Sequence, residues 1–138
     1  MLRVVDIGPA LAAVDAARGG PQQFFEANAT PQLVNVFVAA DDATTAVPYV
    51  YVDGQLGPPG PPEPASGATF GTDAVTFDPA HALEQVTTDL PDTELLVFSV
   101  VGGPGGAGRY GVVGRSVAGG TLDITLSPQG AVLAVDAR

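Results

Sequence analysis

Gly57-Pro58-Pro59-Gly60-Pro61-Pro62-Glu63-Pro64 divides the chain, and the fold reading follows from what stands on either side of it. Two Gly-Pro-Pro triplets are too few for a collagen helix, so the stretch reads as an extended, solvated polyproline II connector. Residues 57–73 are assigned to it, leaving residues 1–56 and 74–138 as the folded parts of one compact domain.

Each part opens with a helix signal. In the first, Pro9 suits an opening helical turn, Ile7, Leu11, Val14 and Ala17 recur at helical spacing, and Gly19-Gly20-Pro21 stops the run. In the second, Asp78 can cap a helix starting at Pro79, with Leu83, Val86 and Leu90 on one face and Pro91 ending it. Strand-like segments follow both: residues 23–27, 33–38 and 49–52 after the first, and 94–101, 109–117, 121–126 and 131–136 after the second. Asp53-Gly54 and Gln129-Gly130 read as hairpin turns.

Both parts can therefore be written helix, strand, strand, strand. The expected class is α+β, with two short helices on one face of an antiparallel sheet of six or seven strands. The likeness of the halves fits either a degenerate duplication or a single domain built from a common pattern. The stretch from Thr121 to Asp136 resembles the closing hairpin of PepSY-type domains, in which a strand, a Gly-containing turn and an apolar strand ending in an acid recur. The twofold helix-plus-three-strand pattern is also similar to β-lactamase inhibitory protein and to exported domains of actinobacterial lipoproteins. That resemblance implies an extracytoplasmic, non-enzymatic module and transfers no functional residue.

Composition narrows the function classes. The chain has 138 residues, enough for a core without disulfides or metals. Its fifteen acids, five Arg and no Lys give a net charge of −10, which repels nucleic-acid phosphates and anionic headgroups. Arg3, Arg18, Arg109, Arg115 and Arg138 are scattered, so nucleic-acid binding is not expected. Arg in place of Lys, with abundant Ala, Gly, Pro and Val, matches the codon usage of a GC-rich bacterium. The absence of Cys excludes disulfides and thiol chemistry. No apolar run reaches the roughly 18 residues of a membrane span. Met1-Leu2-Arg3 runs straight into Val4-Val5-Asp6, so a signal or anchor is expected to have been removed.

The motifs in the chain point to ordinary loop and turn roles. Gly103-Pro104-Gly105-Gly106-Ala107-Gly108 spells G-x-G-x-x-G after a strand, yet the strand-like Arg109-Tyr110-Gly111-Val112 follows where a dinucleotide site needs a helix. It reads as a hairpin loop, and no cofactor is expected. His81 is the only His, which leaves metal sites and acid–base schemes without a second partner. Ser66, Ser99, Ser116 and Ser127 lie in no nucleophile motif and lack an activating Lys. Asp41-Asp42 and the set Asp89, Asp92, Glu94 are the local acid clusters, read as turn and connection residues. Asn28-Ala29-Thr30 is a formal glycosylation sequon, read as an exposed turn. No catalytic or metal-ligating residue is assigned.

Phe24, Phe25 and Phe37 are expected in the core. Tyr49 and Tyr51 alternate with Val50 and Val52, so the two rings share one strand face. If that face is exposed, Tyr49 and Tyr51 form the partner-binding surface; the other reading packs them under the helices. The function expected is a non-catalytic extracytoplasmic binding or sensing module of a bacterial membrane-associated protein. The alternatives are a protein inhibitor or assembly partner, and a carrier of a small apolar ligand such as a lipid. The partner is then a protein or an apolar ligand.

Overall fold

The computed structural model describes the backbone of residues 1–138 and every side chain except those of residues 79 and 80. After a 3₁₀ turn at Val4–Asp6, helix α1 spans Ile7–Ala17, and strands β1 (Gln23–Ala29), β2 (Val34–Ala40) and β3 (Thr45–Val52) follow. Three two-residue strands come next: β4 (Gln55–Leu56), β5 (Glu63–Pro64) and β6 (Phe70–Gly71). Helix α2 (Pro79–Asp89) leads into β7 (Thr93–Gly102), β8 (Gly108–Ser116), β9 (Thr121–Leu126) and β10 (Val132–Ala137). The mixed class with two helices and a large antiparallel sheet is as expected.

The strands form one antiparallel sheet in the order β10-β9-β8-β7-β1-β2-β3-β4, with β5 on β3 and β6 on β1. Period-two alternation sorts the strand side chains. Ala27, Ala29, Val34, Val36, Val38, Phe98, Val100, Tyr110, Val112, Ile124 and Leu126 are buried on one face. They join Ile7, Leu11 and Val14 of α1 and Leu83 and Val86 of α2 in a single core. Asp78 caps α2 by accepting from the His81 N–H at 3.2 Å, the predicted start.

The Pro-rich segment departs from the expected solvated connector. It is pinned along the outer edge of β3. There the Gly57, Gly60 and Ala65 N–H groups donate to the Val50, Pro48 and Thr44 carbonyls at 2.9, 2.8 and 3.0 Å. Further along it, Phe70 is wholly buried and its ring lies 5.8 Å from that of Phe24. A side chain on Gly102 would run into the Ala68 carbonyl oxygen, with a Cβ only 2.1 Å away. The segment is thus a strap, closing one sheet edge and then crossing to β1 and β7.

Candidate binding face

The sheet face turned away from this core is the open one, and cross-strand register arranges it in rows. Pro48, Phe37, Glu26, Val101 and Arg109 make one row across β3, β2, β1, β7 and β8. Val50, Asn35, Asn28, Ser99, Gly111 and Thr125 make the next. Val97, Val113, Asp123 and Asp136 make a third across β7, β8, β9 and β10.

The middle row is polar and internally bonded. Asn35 donates its amide to the Asn28 carbonyl oxygen at 2.8 Å, and Asn28 donates to the Glu26 carboxylate at 2.7 Å. Gly111 contributes no side chain, so the surface sinks there. The resulting open depression of about 330 Å³ is lined by Ser99, Val101, Arg109, Val113, Asp123 and Thr125. Asp123 and Asp136 sit directly opposite each other, a like-charge pair that would be unfavourable alone. Arg138 offsets it, its Nε donating to both Asp123 oxygens at 2.8 and 2.9 Å.

Tyr49 and Tyr51 are not on this face. Tyr49 is 6% exposed beneath α1, and its hydroxyl accepts from Arg18 at 3.3 Å. Tyr51 is half-buried on the same side. Register decides this, because Val36 pairs with Tyr49 and Val34 with Tyr51, and both valines are core. Val50 and Val52 point outward instead, 38% and 39% exposed. The tyrosine strand face is therefore not a free partner surface.

The expectation for Phe37 also fails, and usefully. Phe37 lies between Pro48 and Glu26 on the open face, half-buried. Sequence alone held the signal: Asn35 shares its strand face, and an Asn marks the wet side of an alternating strand. Phe25 falls at a β-bulge between Phe24 and Glu26 and is half-buried as well. Asn28 sits inside β1 on the open face, not in an exposed turn.

The remaining candidates are dispersed. His81 is exposed on α2, Asp41-Asp42 form the β2–β3 turn, and Glu94 faces Arg115 at 3.4 Å across β7 and β8. Ser116 and Ser127 hydroxyls accept backbone N–H groups inside their own turns. Gly103–Gly108 links β7 to β8. No group of three or more His, Asp or Glu among the described residues is placed to hold a metal ion. No helix among them is long and apolar enough to cross a membrane.

On the covered side, Tyr110 packs 4.7 Å from Phe77, and its hydroxyl donates to the Ala74 carbonyl at 3.3 Å. Burial pushes this phenol above its ordinary value, opposed by a backbone hydrogen bond at Thr76. Comparison with family models, curated proteins and solved structures finds no match.

Proposed function

We propose that the chain is a non-catalytic binding or sensing module of a bacterial membrane-associated protein, acting outside the cytoplasm, and that its open sheet face receives a protein partner. The observation that carries this is the face itself. Six central strands present Phe37, Pro48, Val50 and Val101 beside a polar row, with a depression at Gly111 able to take a protruding side chain. Apolar anchors beside satisfied polar groups are the makings of a protein interface. The PepSY-like pattern of the Thr121–Asp136 stretch supports the extracytoplasmic placement.

The same reading treats residues 1–56 and 74–138 as two copies of one helix-plus-three-strand unit. The strand order favours it: β1 and β7, each the first strand after a helix, are antiparallel neighbours. From that seam β2 and β3 step outward on one side, β8 and β9 on the other. An inhibitor or assembly partner is the same reading with a tighter ligand. The apolar-carrier alternative is disfavoured, because the depression at Gly111 lies at the sheet's outer surface rather than between helices and sheet.

The test is capture from the cell-envelope fraction of a producing bacterium, comparing the unmodified chain with a Val50→Lys, Thr125→Arg variant. One envelope protein is expected to be held by the first and released by the second, and native mass spectrometry of the purified chain should show no retained lipid. A lipid adduct, a partner unaffected by the variant, or turnover of a substrate would overturn the reading.

A further inference from the structure

The two edges of the sheet are treated very differently. The β3 edge is occupied along its length by the strap, whose N–H groups satisfy the β3 carbonyls, while Pro58, Pro59, Pro61, Pro62 and Pro64 offer no donor to anything further out. Proline on an edge is a standard guard against strand addition. At the other end of the strand order, β10 has no such guard. It contains neither Pro nor Lys, and Leu133 and Val135 are 64% and 42% exposed.

Which backbone groups are free on β10 follows from its neighbours. The Gly120 carbonyl accepts from Ser116 on the β8 side, so that of Thr121 faces β10, where it accepts from the Arg138 N–H at 2.9 Å. Alternation then turns Asp136 and Ala134 inward to β9, and Val135 and Ala137 outward. Their N–H and C=O groups are the open ladder of the sheet.

We propose that β10 is a self-association edge, at which two copies of the chain pair antiparallel about a two-fold axis through Val135. That register sets Val135 against its own copy, Leu133 against Ala137 and Ala134 against Asp136. No acid then opposes an acid, although each chain carries a net charge of −10. Arg138 neutralises Asp123 beside the seam, leaving Asp136 as the one unpaired acid on the strand. The strapped β3 edge supplies the reason for a closed pair. A β10 strand cannot add to the blocked edge of another copy, so open head-to-tail growth is excluded and only the two-fold contact remains.

Because the chain contains no Cys, one substitution at a time reads the register. Facing residues in a hydrogen-bonded antiparallel pair have Cα atoms about 5.5 Å apart, within disulfide range. Val135→Cys is expected to form a disulfide-linked dimer under mild oxidation, and Leu133→Cys to form no cross-link because its own copy lies several residues away. Sedimentation velocity of the unmodified chain should show a monomer–dimer shift with concentration. Val135→Lys should abolish it while leaving circular dichroism unchanged. A chain that stays monomeric throughout overturns the proposal. So does a dimer lost with Val50→Lys on the open face but kept with Val135→Lys, or cross-linking that favours Leu133→Cys. An extended peptide that binds β10 of a strictly monomeric chain would reassign the edge to a foreign strand.

Discussion

Asp41, Asp42 and Ala43 hold φ values of 52°, 56° and 61°, three successive residues in the left-handed region at the β2–β3 turn. Asp tolerates that conformation because its short side chain can bond locally, but Ala has only the steric penalty of its Cβ. Ala43→Gly should therefore raise unfolding free energy by about 1 kcal/mol, read from urea midpoints at constant slope. Asp53-Gly54, at 49° and 80°, meets the same demand with the residues a tight hairpin favours, which is why that turn could be read directly. Tyr110 makes a second prediction at this scale. Burial raises its pKa in the folded chain, so folding favours the neutral phenol. The stability this linkage supports is intact below the ordinary tyrosine value of about 10 and is lost as pH rises through the higher folded value. Thermal midpoints should fall in that alkaline window and fall less in Tyr110→Phe. Equal slopes in both proteins would mean that Tyr110 ionisation is not coupled to unfolding.

At the scale of elements, helices and long strands were legible because their punctuation is local. Pro79 after the Asp78 cap, Gly19-Gly20-Pro21 after α1, and Gly-containing turns between strands mark boundaries without reference to the rest of the molecule. Two things were not local. The face presented by β3 depends on its register with the buried Val34, Val36 and Val38, and Tyr49-Val50-Tyr51-Val52 supplies an apolar residue for either side. The strap is not legible from its prolines, which suit a solvated connector and a guarded sheet edge equally well. What separates the two is Phe70, a large apolar residue inside the segment that a free connector has no reason to carry. It is wholly buried, paired with Phe24 of β1. Phe70→Ala is expected to cost about 3–5 kcal/mol, as for other buried Phe truncations. It should also raise amide exchange at Gly57, Gly60 and Ala65 ahead of the sheet centre. A variant that loses stability with no preferential exchange in the strap would show that Phe70 serves the core alone.

For the molecule as a whole, charge is the feature no single contact describes. The net charge of −10 comes from a shortage of cations, and three of the five arginines already sit in ion pairs: Arg3 with Asp6 and Asp53, Arg115 with Glu94, Arg138 with Asp123. Those pairs are largely solvent-exposed, and exposed pairs are worth about 0–1 kcal/mol each. Salt weakens them, but it also screens the mutual repulsion of the excess carboxylates, which acts across the whole surface and grows with every unpaired acid. The Debye length falls from about 30 Å at 0.01 M to about 8 Å at 0.15 M, from comparable with a small domain to well below it. Repulsion between distant acids is therefore removed first, while paired groups in contact retain most of their attraction. The melting temperature should consequently rise by about 2–8 °C over that range of sodium chloride, equivalent to roughly 1 kcal/mol for a domain of this size. It should be measured at low protein concentration, so that β10 pairing does not add a stabilisation of its own. A falling midpoint would mean that the few arginine pairs outweigh the surplus of acids, and that stability is concentrated where those pairs staple β7 to β8 and β9 to the Arg138 end of β10.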